Sequence, residues 1–122
     1  MKKNKIRWYI FLLVFFTLLV SCKDNMKYQT GRDTEYAFGD GTYQIYRSSI
    51  NTFPLKNNNN QETIERDVYL YRDISPYAYV VGQWDYTVLN YENGKIIQKT
   101  NLEDLPKKDQ EIFNQKDKFT KP

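Results

Sequence analysis

From Tyr36 onward the pattern is mainly that of strands, short runs of apolar residues separated by polar turns. "TYQIYRSSI" (Thr42 to Ile50) and "RDVYLYRD" (Arg66 to Asp73) concentrate Tyr, Val and Ile, residues that suit a pleated surface. "YAYVVGQWDYTVLNY" (Tyr77 to Tyr91) is long enough for two strands, or for one strand bulged at Gly82. Its second half carries Trp84, Tyr86 and Val88 on one face and Leu89 and Tyr91 on the other, which predicts a central strand covered on both sides, with a partner as one source of that cover. "NNNNQE" (Asn57 to Glu62) predicts a polar loop between the first two strands, and "DISP" (Asp73 to Pro76) a second turn. In "YENGKI", Asn93-Gly94 offers the positive φ angles of a type I′ turn and predicts a hairpin with Tyr91 opposite Ile96 and Glu92 opposite Lys95. The period then changes. Leu105, Ile112 and Phe113 share one face of a helix from about Pro106 to Asn114, after a turn over 102–105 in which Thr100 and Glu103 have capping-box spacing. Pro106 suits the first turn of that helix. The fold class expected is α+β: a small antiparallel β-meander with a C-terminal helix packed on the sheet. The domain spans 36–116, the polar stretch 22–35 before it reads as a flexible tether of roughly 20 Å reach, and 117–122 reads as a frayed tail. No internal repeat is visible.

The first 21 residues follow another pattern. Lys2, Lys3, Lys5 and Arg7 precede "WYIFLLVFFTLLV" (Trp8 to Val20), thirteen uncharged residues, and a small residue closes the run. A basic start, a short apolar core and a small residue at its end describe a secretory signal peptide. A spanning helix takes about 20 apolar residues. The border itself, Leu19-Val20-Ser21-Cys22, resembles the lipobox of bacterial prolipoproteins. That resemblance implies removal of residues 1–21 by cleavage after Ser21 and a diacylglyceryl thioether on Cys22, the new first residue. It implies attachment to the extracytoplasmic face of the cell membrane through lipid. More than one acyl chain suffices for stable anchoring without a spanning helix.

Processing changes the charge balance. The chain carries 18 basic and 15 acidic residues, but four of the basic ones and none of the acids lie before Cys22, leaving 14 against 15. The basic excess belongs to the export signal, and nucleic acid is not an expected partner, because such binding rests on phosphate neutralisation. Cys22 is the single cysteine and there is no histidine, which removes disulfides, Ser-His-Asp and Cys-His catalysis, and His/Cys zinc sites. "GDGT" (Gly39 to Thr42) reads as a turn, because the acid spacing and closing glutamate of a calcium loop are missing. Neither metal nor cofactor is expected.

Eleven tyrosines and two tryptophans ask for a role. Aromatic residues supply large buried area in a small sheet, and core positions account for most of them. A cluster of Tyr77, Tyr79, Trp84 and Tyr86 would, if exposed, contact a glycan or other small ligand. Glu65, Asp67, Asp73 and Asp85 could supply a carboxylate pair for glycoside hydrolysis, although surface solvation is the commoner role of such residues. The expectation is therefore a lipid-anchored, non-catalytic domain that binds an envelope protein, in an accessory or immunity-like role. A small-ligand or glycan-binding lipoprotein using the aromatic cluster is the alternative, and a carboxylate-based hydrolase a remote third.

Overall fold

In a computed structural model, residues 26–122 are described; Ser21 and Cys22 lie outside them. Eight strands follow in order: β1 (Thr34–Phe38), β2 (Tyr43–Tyr46), β3 (Leu55–Asn57), β4 (Glu62–Glu65), β5 (Val68–Ile74), β6 (Tyr77–Gly82), β7 (Tyr86–Asn90) and β8 (Ile96–Lys99). They form two antiparallel four-stranded meanders, β1-β2-β3-β4 and β5-β6-β7-β8. A 3₁₀ turn (Leu102–Asp104), helix α1 (Lys107–Asn114) and a second 3₁₀ turn (Lys116–Lys118) complete the chain. The protein is mostly β with a C-terminal helix, as its patterning predicts.

The two sheets face each other over a core of Phe38, Ile45, Leu55, Val68, Val80 and Leu89, each essentially sealed from water. Removing a side chain of this size from water stabilises the fold by about 1.5–3 kcal/mol. The second sheet is covered on its other face as well. Tyr79 and Val88 point outward to meet Leu105 and Phe113, with Tyr77, Val81, Tyr86, Ile112 and Phe119 around them. Phe113 is the hub, in edge-to-face contact with Tyr79 (5.6 Å between centroids) and Tyr86 (5.3 Å), and stacked on Phe119 (5.7 Å). β7 is thus covered on both sides, as the two-faced apolar pattern requires, and the cover is the chain itself.

Several expectations are corrected. β1, β3 and β4 are additional strands, and "NNNN" closes the β3–β4 hairpin where a loop between two longer strands was expected. The 22–35 tether is shortened, because β1 begins at Thr34 and the Tyr28 N–H donates to the Asp40 carbonyl at 3.0 Å. Buried Gln44 reinforces this by donating from Nε2 to the Gly41 carbonyl at 2.8 Å and, more weakly, to those of Tyr28 and Gln29. The tail at 117–122 does not fray: Thr120 and Tyr71 exchange backbone bonds of 2.9 and 2.8 Å across the β5 edge. The capping box does not form, since Thr100 Oγ1 donates to Asp85 instead, at 3.0 Å.

The β7–β8 hairpin carries a four-residue loop, Tyr91 to Gly94. The Gly94 N–H, at φ +79°, bonds the Asn90 carbonyl, and Asn90 pairs with Lys95. Ile96 therefore sits opposite Leu89 and not Tyr91. The register moves by two, so every side chain keeps the face predicted for it.

Candidate functional site

Of the four aromatics proposed as a ligand cluster, three lie under the helix. Tyr79 is 4% exposed, and Tyr77 and Tyr86 pack in the same outer cluster. The Tyr79 hydroxyl donates to Asp109, itself buried on α1, at 3.3 Å. Burial, reinforced by the Asp109 carboxylate, pushes the Tyr79 hydroxyl up to about 12. Trp84 alone is open, at 50% exposure, on the turn between β6 and β7. The four rings do not make one exposed platform.

That turn is held by a carboxylate. Glu65, 0% exposed at the end of β4, accepts the Trp84 N–H on Oε1 at 2.8 Å, while Oε2 is buried with no hydrogen-bond partner. Burial raises the Glu65 pKa against the opposing pull of the Trp84 amide. Gly82 allows the approach, since a methyl group built there would overlap Glu65 Cγ, Cδ and Oε1. The same turn is tied by Gly82 N–H to Asp85 carbonyl (3.1 Å) and Gln83 N–H to Asp67 carbonyl (2.9 Å). Nothing local in the sequence marks Glu65 as buried: "ERD" reads as a solvated junction, and only the tertiary approach of Gly82 reveals it.

The other carboxylates weighed for hydrolysis are likewise engaged. Asp67 Oδ1 accepts the Phe53 N–H at 3.0 Å, and Asp85 accepts Thr100. Asp73 takes the hydroxyls of Tyr36 (2.6 Å) and Tyr91 (2.7 Å), joining the β1–β2 hairpin to the end of the second sheet. Desolvation and then this bond raise the Tyr36 pKa. In "GDGT", Asp40 Oδ1 accepts both the backbone N–H (3.0 Å) and hydroxyl (2.7 Å) of Thr42, the geometry of an Asx turn. Among the described residues no group of three or more His, Cys, Asp or Glu is placed to hold a metal ion.

What the fold leaves open is β8. All four of its residues are exposed, with Ile96 and Ile97 both at 40%. Beside it lies a cleft of about 260 Å³ between the hairpin and the start of α1, lined by Tyr77, Val88, Lys95, Ile97, Pro106 and Lys108. Sequence reasoning singled out this hairpin for its turn and missed its exposed edge, because local patterning does not say which strand lies at the border of a sheet. No family model, no curated protein and no solved structure matches this chain.

Proposed function

We propose that this chain is a bacterial lipoprotein, cut after Ser21 and anchored through Cys22 on the extracytoplasmic face of the cell membrane, whose domain binds another envelope protein and performs no catalysis. The observation that carries it is the lone cysteine at the border between an apolar run and a polar chain, within Leu19-Val20-Ser21-Cys22. An accessory or immunity-like role is the form such binding would take in an exported module, and the exposed strand edge of β8 supports the binding part of this reading. Two features of the domain support a binding role. Glu65, Asp67, Asp73 and Asp85 all hold turns or hydroxyls, and an apolar strand edge faces solvent.

Two measurements test this. Intact mass of the native polypeptide should begin at an acylated Cys22, and Cys22→Ala should abolish fatty-acid labelling and leave the precursor uncut. A native chain beginning at Met1 with a free thiol would refute the anchor. Crosslinking in intact cells should then capture one envelope protein, and loss of that adduct on altering β8 would identify the surface used.

A further inference from the structure

We propose that the outer edge of β8 accepts an extended segment of a protein partner as a ninth strand, and that the segment carries acidic, apolar and acidic side chains at alternate positions. This rests on the interaction-module reading above and names the class of partner that such a module would take.

The backbone argument comes from register. Asn90 N–H bonds the Lys95 carbonyl, so in the β7–β8 ladder the hydrogen-bonded pairs are Asn90/Lys95, Val88/Ile97 and Tyr86/Lys99. The N–H and C=O of Ile96 and Gln98 consequently point away from β7, toward solvent. The other three sheet edges are less regular or already partly used. β5 is capped by the Phe53 carbonyl at Val68 and by Thr120 at Tyr71, β1 is broken by a register shift between Thr34 and Tyr36, and the Ile64 carbonyl of β4 is taken by Gln98 Nε2 at 2.9 Å. Strand addition uses a free ladder for affinity and alternate side-chain pockets for selectivity, and β8 offers both.

The side chains define the occupant. Leu89 opposite Ile96 places Ile96 and Gln98 on the face toward the first sheet, so Lys95, Ile97 and Lys99 alternate on the helix-side face. Lys108 lines the same cleft as Lys95 and Ile97. Among the described residues the ion pair found joins Arg47 and Glu35, so these three lysines have no carboxylate partner there. Asp109, the acid in the cleft, is buried and bonded by Tyr79. An incoming strand therefore meets a cation, an apolar patch and a cation at alternate positions, with a cleft for an apolar side chain. Pairing of two β8 strands is disfavoured in its fullest register: the antiparallel overlap of 95–99 with itself centres on Ile97 and brings Lys95 of each copy against Lys99 of the other, twice. Edge lysines oppose self-association in this way.

The test uses the full chain in detergent micelles and two labelled eight-residue peptides. One carries Glu, Val and Glu at alternate positions among threonines; the other replaces both Glu by Lys. The acidic peptide should bind at least about tenfold more tightly, the sum of several exposed charge pairs. Its binding should slow exchange of the Ile96 and Gln98 amides, while the Ile97 amide, already bonded, changes little. Ile96→Pro removes one outward N–H and should abolish binding. Lys95→Glu with Lys99→Glu alters only exposed tips and should reverse the preference toward the lysine peptide. Equal binding of both peptides, no binding of either, or protection appearing elsewhere would overturn the proposal. So would a dimer of the chain that Ile96→Pro dissolves. None of these readouts depends on whether Cys22 carries lipid, so failure here and failure of the anchor remain distinguishable.

Discussion

Gly82 and Glu65 should behave as one unit, and the contact between them fixes the size of the effect. Gly82→Ala places a methyl group on the buried Glu65 side chain. Relief requires moving either the strand or the carboxylate, at about 1–3 kcal/mol for overpacking, and moving the carboxylate takes the acceptor from the Trp84 N–H, at about 1–3 kcal/mol more. A loss of about 3–4 kcal/mol is expected, a large part of the 5–15 kcal/mol that holds a domain of this size. Glu65→Ala alone should lose about 2 kcal/mol, since the missing acceptor and the void are partly offset by removing an unpartnered buried carboxylate oxygen. In the double variant the alanine methyl enters space vacated by the carboxylate, so the total should stay near the cost of Glu65→Ala. A coupling of about 3–4 kcal/mol follows, well outside the scatter of independent sites. Urea unfolding followed by far-UV circular dichroism measures all four proteins, and a common slope establishes that midpoints report stability. Additivity of the two single changes to within about 0.5 kcal/mol would refute the argument.

Glu65 also sets a pH dependence. Its folded pKa lies above the ordinary 4.5, so its contribution is fully present below 4.5 and is lost as pH climbs through the raised value. Glu65→Gln should therefore gain on the native protein as pH rises from the acid range toward neutrality, and parallel urea midpoints across that range would contradict the assignment. Phe113→Ala should cost about 3–5 kcal/mol, with amide protection lost first in α1 and retained in the core between the sheets; uniform loss would show that the outer layer is not separable. Tyr79→Phe leaves buried Asp109 without its hydroxyl donor and should cost about 1–3 kcal/mol in thermal or urea unfolding, whereas Tyr77→Phe should cost almost nothing.

The parts of the fold legible in the sequence are those written in local periodicity. β5, β6 and β7 follow runs rich in Tyr and Val, and α1 ends at Asn114 and begins one residue past Pro106, although Leu105, expected on the helical face of Ile112 and Phe113, reaches their cluster from extended backbone before the helix. The hairpin turn was visible in Asn93-Gly94, but its loop length was not, because Asn90 captures the Gly94 amide and leaves Asn93 outside the left-handed region. β3 and β4, three and four residues long, are too short to show a period. The exposure of the proposed aromatic cluster was not legible at all. Alternation separates the faces of a strand without saying what covers each, and here α1 covers the face that carries Tyr77, Tyr79 and Tyr86.

With Cys22 acylated as proposed, the bond from Tyr28 to Asp40 would set which end of the domain faces the membrane. Only Lys23, Asp24 and Asn25 separate Cys22 from Met26, a contour of about 14 Å at full extension. With an acyl group on Cys22, as proposed, the tip of the β1–β2 hairpin would ride within that short leash of the headgroups. The turns beside it, at 58–61 and 91–94, would share that lower end. Ile50 and Trp84, exposed at the far end of the strands, would then be the first apolar surfaces met by anything approaching from outside the cell.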